Sequence, residues 1–279
     1  MFLGDERCDM VLISLILPFF LFISVFFSAP ALAGDWNVHF LDVGYGDAII
    51  IERPDVHVTL VDAGSRPAAE NIKRFLSSRG IAGIDAVVLT HPHENHCGGL
   101  EGLAPIIKAN ELFFNGDTGG DEICAGILET LRRAGRTIKT VKAGDVVYEG
   151  RDHLLKVLHP SVLGPGTNDN SIVLWLKAEG KGFLFTADIG MLGQAALVRE
   201  FPFVSQAHAV QVPHHGDAVI PSWKADFPRA VFIMSTGKNP YGLPSKETLN
   251  ALTGKLYRTD QGAITLTSKG QEISIVQHP

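Results

Sequence analysis

Three histidines fall within six residues, His91, His93 and His96, in the run Thr90-His91-Pro92-His93-Glu94-Asn95-His96-Cys97-Gly98-Gly99. A lone histidine in such a place is most often a surface-loop residue. Neutral imidazoles at this spacing suit zinc, however, and short histidine-rich tracts usually have a metal to share. Three protein ligands with one open position leave room for a water that the metal acidifies to a pKa of about 7, which supplies hydroxide at neutral pH. The chemistry to expect is hydrolysis.

Such a cluster needs rigid elements behind it. Alternation and apolar runs predict strands over 38–41, 48–52, 58–61 and 86–89. Further strands are predicted over 112–114, 154–158, 172–177, 183–186, 210–212, 231–235, 263–267 and 273–276, with helices near 68–78, 122–134, 192–200 and 246–252. The run Ala86-Val87-Val88-Leu89 has no polar position and needs cover on both faces. Interspersed helices can supply that cover, which favours a layered α/β fold over an all-β sandwich. The histidines then open from a strand end into glycines, where side chains can converge. Gly144-Asp145 and Gly164-Pro165-Gly166 are turns, and no repeat or linker divides the chain, so residues 34–279 read as one domain.

The histidine run resembles the His-x-His-x-Asp-His signature of metallo-β-lactamase-fold hydrolases. The resemblance extends over residues 36–277, through Phe40-Leu41-Asp42-Val43-Gly44-Tyr45-Gly46-Asp47-Ala48, Leu60-Val61-Asp62-Ala63-Gly64, Asn168-Asp169-Asn170-Ser171, Phe185-Thr186-Ala187-Asp188, Val212-Pro213-His214-His215-Gly216 and Ser235-Thr236-Gly237-Lys238-Asn239-Pro240-Tyr241-Gly242. Within the family it looks most like the hydrolase domains of DNA-uptake channel proteins of the ComEC type. The resemblance implies a four-layer αββα sandwich with the metal site at one edge, between two sheets. It implies metal ligands among His91, His93, His96, Asp188 and His214, with Asp62 beneath the metal orienting a ligand histidine. Read from spacing alone, Asp62 is equally a turn residue before Gly64, and Asp188 a helix cap before Leu192. Catalytic roles would fall to Asp188, orienting hydroxide, and to His214 or His215, assisting departure of the leaving group. The implied cofactor is zinc, one ion or two, with manganese an alternative. The implied substrate is a phosphodiester, nucleic acid among them; a lactam, lactone or thioester is the alternative.

Two positions depart from the family pattern. Asn95 stands where the signature has Asp, replacing an anionic oxygen with a neutral amide. Leu243, in Gly242-Leu243-Pro244, stands where a late Gly-His-Pro would add a ligand. Both losses weaken a second metal site, which points to a single-metal hydrolase or to a non-catalytic, metal-poor binding domain. Glu94 could replace the missing carboxylate, but alternation points it away.

Composition narrows the setting. With 279 residues and 46% hydrophobic content the chain can bury a full-sized core. A net charge of −6 gives no global attraction to nucleic acid, which would have to rely on Arg132, Arg133, Arg136, Lys139 and Lys142, a group that also reads as a solvated helix face. Residues 11–27 are charge-free and mostly apolar, and Ala31-Leu32-Ala33 has the small-x-small form of a signal-peptidase site, so residues 1–33 read as an export signal, with a retained membrane anchor as the alternative. The expected location is secreted or periplasmic, with membrane contact only if that segment is kept. Its removal leaves a net charge of −4 and the cysteines Cys97 and Cys124, between which export would permit a disulfide. Cys97, beside His96, reads as apolar filler rather than as a thiolate ligand. Ser235-Thr236-Gly237-Lys238 matches Ser-x-x-Lys but ends an apolar strand, not the helix start that motif needs, and neither a full dinucleotide fingerprint nor a Gly-x-Ser-x-Gly elbow occurs.

Overall fold

Three consecutive residues show how the layers arise. Ile49, Ile50 and Ile51 are all buried, yet Ile49 and Ile51 pack into one apolar cluster while Ile50 packs into another. Successive side chains of a strand point to opposite sides, so a strand without a polar position demands packing on both. The same alternation divides Val88 from Val87 and Leu89, and Leu174 and Leu176 from Val173 and Trp175.

The structure, a computed structural model, describes residues 35–55, 57–269 and 272–278 together with Met1. The expected export signal, residues 1–33, lies outside the described residues except for Met1. The first strands are β1 (Trp36–Phe40), β2 (Ile49–Glu52), β3 (Val58–Val61), β4 (Ala86–Leu89), β5 (Glu111–Phe114), β6 (Thr137–Thr140), β7 (Val146–Glu149) and β8 (His153–His159). They are followed by β9 (Val173–Ala178), β10 (Lys181–Phe185), β11 (Ala209–Gln211), β12 (Val231–Met234), β13 (Leu256–Arg258), β14 (Ala263–Lys269) and β15 (Glu272–His278). The helices are α1 (Ala68–Ser78), α2 (Glu94–Cys97), α3 (Leu100–Leu103), α4 (Glu122–Arg133), α5 (Met191–Glu200), α6 (Trp223–Asp226) and α7 (Lys246–Ala251).

One sheet has the order β15-β14-β1-β2-β3-β4-β5-β6 and the other β13-β12-β11-β10-β9-β8-β7. Both are mixed: β3 to β6 and β10 to β13 run parallel, and the remaining pairs are antiparallel. Phe40, Ile49, Ile51 and Val88 of the first sheet meet Leu155, Leu174, Phe183 and Ile233 of the second in a shared core. Helices α1, α3 and α4 cover the outer face of the first sheet through Ile72, Leu76, Leu100 and Leu131. Helices α5, α6 and α7 cover the second through Leu197, Trp223 and Leu249. The four-layer αββα sandwich expected from the sequence is the observed architecture.

Strands β6, β7 and β13 were not expected. Each has only three or four residues and none is fully buried, so they carry almost no apolar alternation to read. Cys97 and Cys124 form the disulfide that export would permit, across a sequence separation of 27, tying α2 to α4; Cys97 is buried in the apolar cluster and is not a thiolate ligand. Of the basic group, Arg136 donates to the carbonyls of Ala109 and Ile107, and Arg133 pairs with Glu129 at 2.9 Å. These two serve the fold and the surface of α4. Among the described residues no helix is long and apolar enough to cross a membrane.

Because Leu174 lies fully buried between the sheets, Leu174→Ala is expected to lower stability by about 2–5 kcal/mol through lost burial and the cavity left behind. Urea unfolding followed by circular dichroism measures this as a lower midpoint at unchanged slope.

Candidate metal centre

Both sheets contribute side chains to one spot. From the first come Asp62, just past β3, and the loop after β4 that carries His91, His93 and His96. From the second come Asp188, after β10, and His214 and His215, after β11. Parallel pairing of β3 with β4 and of β10 with β11 brings the C-terminal ends of these strands together, the usual place for a ligand site in such sheets. Gly46 makes the loops fit: a Cβ there would lie 2.1 Å from the carbonyl oxygen of Asn95, so only glycine lets the 44–46 turn approach the histidine loop.

Backbone strain collects at the same spot. Asp62, Ala187, His214 and His215 all have φ between 45° and 56°, a left-handed conformation that costs of order 1–3 kcal/mol per residue unless its surroundings enforce it. Gln211 enforces one turn: its side-chain oxygen accepts from the backbone N–H groups of Thr186 and Ala187, and its amide donates at 2.6 Å to Asp47, in the loop between β1 and β2.

Hydrogen bonds set the tautomers. Asp62 accepts from the backbone N–H and the hydroxyl of Thr90 at 2.8 and 2.7 Å, and from Nδ1 of His96 at 2.8 Å. With its proton given to Asp62, the Thr90 hydroxyl accepts from Nδ1 of His91 at 3.1 Å. Nδ1 of His215 donates to the carbonyl of Ser235 at 3.0 Å. In their neutral form each of the three rings therefore keeps its proton on Nδ1 and turns Nε2 inward, that of His215 also meeting the side-chain amide of Asn95. All three face one atom: Oδ2 of Asp188 lies 3.6 Å from Nε2 of His91, 3.3 Å from that of His96 and 3.5 Å from that of His215. His214 adds a fourth Nε2 at 3.7 Å.

Lone pairs aimed at a carboxylate repel it unless positive charge lies between them, and two buried atoms here, Nε2 of His96 and Oδ1 of Asp188, have no hydrogen-bond partner. Donor atoms of His91, His96 and Asp188 lie within 4.8 Å of one another. Nε2 of His91 and Nδ1 of His93 are 3.0 Å apart. Ligands sharing a tetrahedral ion at about 2.0–2.2 Å sit roughly 3.3–3.6 Å from each other, so these separations and this donor set fit a divalent cation. The titration behaviour agrees. Burial would push His96 down, but the carboxylates of Asp188 and Asp62 outweigh it and hold the ring well above its ordinary value. Burial and the neighbouring His96 hold His91 well below its own. Burial would raise Asp188, yet His215 and His96 keep it well below the usual carboxylate range.

The structure thus brings His91, His93, His96, Asp188, His214 and His215 together, with Asp62 behind His96. The sequence left open which of His214 and His215 reaches the site; both do. Asp188 is not a helix cap, since α5 is capped by Gly190. Glu94 points away, accepting from the backbone N–H of Arg66. Asn95 faces the site, its side-chain amide 3.0 Å from Nε2 of His215. A cavity of about 470 Å³ opens beside Asp188 and is lined in part by Tyr45, Asn168 and Leu243. Asp47, Gln211 and Tyr45 were not identified from the sequence. Asp47 and Tyr45 lie in the Gly44–Asp47 stretch that carried the resemblance, whereas Gln211 had no signal.

Residues 41–225, well over half of the chain, match the Metallo-beta-lactamase superfamily, and the chain belongs to that superfamily, whose members are generally hydrolases. It is 28% identical over 261 residues to ComE operon protein 3 of Bacillus subtilis (strain 168), covering 84% of this chain and 33% of that protein. It is 27% identical over 227 residues to Competence protein ComA of Neisseria gonorrhoeae, covering 78% of this chain and 30% of that protein. The chain spans about a third of the length of these curated relatives. Among solved structures, metallo-β-lactamase SMB-1 bound to 2-mercaptoethanesulfonate aligns with a TM-score of 0.44 and 17% identity, over 63% of this chain and 76% of that one.

A proton on His96 and a metal ion compete for the same nitrogen. Since the metal-free ring titrates well above the ordinary histidine value, zinc is expected to bind more tightly as pH rises and to release a proton on binding. Calorimetric titration at about pH 6 and about pH 8, in buffers of different ionisation enthalpy, checks both expectations.

Proposed function

We propose that this chain is an exported, metal-dependent hydrolase of phosphodiester bonds, with nucleic acid among its substrates. The observation that carries the reading is the convergence of the Nε2 atoms of His91, His96, His214 and His215 on Oδ2 of Asp188. His91, His93, His96 and Asp188 would hold the metal, joined by His214 or His215. When bound, a divalent cation such as zinc or manganese supplies Lewis acidity, polarising the scissile group and making water acidic near neutral pH.

The protein's own groups do the remaining work. Asp62 fixes His96 in the tautomer that offers Nε2, and Thr90 and Ser171, at 3.1 and 3.2 Å from Nδ1, do the same for His91. Oδ1 of Asp188, without a partner, can accept a hydrogen bond from the attacking water and orient it. His214 is the most exposed of the four imidazoles, with 25% of its side chain accessible, and its Nδ1 lies 3.6 Å from a carboxylate oxygen of Asp217. His214, with Asp217 beside it, can serve as proton donor to the leaving oxygen where His215 completes the metal site.

Asn95 and Leu243 support one metal equivalent rather than two, since an amide already meets Nε2 of His215 and leucine offers no donor. The resemblance to DNA-uptake channel domains favours a phosphodiester over a lactam, lactone or thioester. Export is supported by the apolar segment 11–27 and by the Cys97–Cys124 disulfide, a bond that persists in oxidising compartments.

The purified protein is expected to bind about one equivalent of zinc by elemental analysis and to cleave a generic phosphodiester. Chelator abolishes that cleavage, added zinc or manganese restores it, and Asp188→Asn reduces it by several orders of magnitude. Far less than one equivalent would identify a binding domain instead. Cleavage of a lactam or thioester in preference to the phosphodiester would reassign the substrate.

A further inference from the structure

We infer that the cavity beside Asp188 carries a stacking platform for a planar ring of the substrate, a nucleobase, with Tyr241 as its contact residue; the inference rests on the phosphodiester reading above. The cavity's lining is of two kinds. Asp188, His214 and Asn168 are polar and mark where a phosphodiester would react; Tyr45, Tyr241 and Leu243 offer apolar and aromatic surface. Leu243, the residue that removes a ligand from the family pattern, here adds to that apolar lining.

The two tyrosines form a unit. Tyr45 packs against the buried His215 at a ring distance of 4.5 Å and against Tyr241 at 5.5 Å. Tyr241 remains 69% exposed, so it is supported from within by Tyr45 and still presents surface to the cavity. Their loops are locked together: a Cβ on Gly237 would lie 2.4 Å from the backbone carbon of Gly44, so the 44–46 turn and the 237–243 loop touch backbone to backbone. Asn239 rigidifies the second loop. Its side chain donates to the carbonyls of Gly237 and Leu243 at 2.8 and 2.7 Å and accepts from the N–H groups of Tyr241 and Leu243 at 3.0 and 3.1 Å.

A large aromatic side chain held in water on a locked loop has little order left to lose when a ligand arrives. Such surfaces take any base, since every base has a π-face, and so provide affinity without sequence reading. The platform therefore suits a single-stranded strand whose unpaired base lies on Tyr241 while its phosphate reaches Asp188.

The test compares, by calorimetry of the zinc-loaded protein, a short single-stranded thymidine oligonucleotide with the same backbone made abasic. Wild type and Tyr241→Phe are expected to bind the base-containing strand about tenfold or more tightly than the abasic one, and Tyr241→Ala to lose that advantage, with an unchanged thermal midpoint showing that it folds. Equal binding of the two strands by wild type, an advantage that survives Tyr241→Ala, or no binding of either strand would overturn the platform. Hydrolysis is scored separately. Cleavage of both strands without base-dependent binding retains the phosphodiester reading and sinks the platform; base-dependent binding without cleavage does the reverse.

Discussion

Asp188 is 2% exposed, and its carboxylate is met by the Nε2 atoms of the buried rings around it. A buried anion costs several kcal/mol unless it is compensated, and lone pairs aimed at it add to that cost. The arrangement therefore requires positive charge at its centre, supplied by protons on the imidazoles or by a metal ion. The raised titration of His96 and the lowered titration of Asp188 both express this demand. Much of the surrounding architecture serves to maintain it: Asp62 and Thr90 hold the rings in one tautomer, and four left-handed backbone conformations aim the side chains.

Such strain persists only where packing over-determines it. The shared core between the sheets, filled by Phe40, Ile49, Leu174 and Phe183 among others, fixes the strand ends from which the strained turns depart. Gln211 then ties the Asp188 turn to Asp47 across the sheets, and the Cys97–Cys124 bond anchors the helix that carries His96 to α4. The site is thus tied to both sheets of the sandwich, and it meets solvent at the edge near His214.

Much of this was legible in the amino-acid order, and for identifiable reasons. Strands such as β2, β4 and β9 are apolar on both faces, so their two-sided burial, and with it the layered fold, could be read directly. The histidine run was legible because its residues are close in sequence. Asp62 and Asp188 were legible only through the family pattern, since one carboxylate beyond a strand has no meaning by itself. Gln211 and Asp47 were missed because a buried polar anchor is defined by partners far along the chain, 164 residues apart in this pair. The choice between His214 and His215 could not be made by alternation, because both adopt left-handed backbone and leave the strand periodicity altogether. The Cys97–Cys124 bond could only be left open, because a disulfide depends on where α4 lands, which no local pattern records.

The division of the centre between the two sheets has a consequence for the life of the molecule. The donors around Asp188 occur in two groups, residues 91–96 and 188–215, and the site that draws on both is complete only when the halves of the sandwich have docked. A polypeptide crossing a membrane in an unfolded state would carry no cargo of its own, and would draw its ion from whichever side it folds on. The supply of metal in that compartment, and not in the place of synthesis, would then set what fraction of the molecules becomes competent.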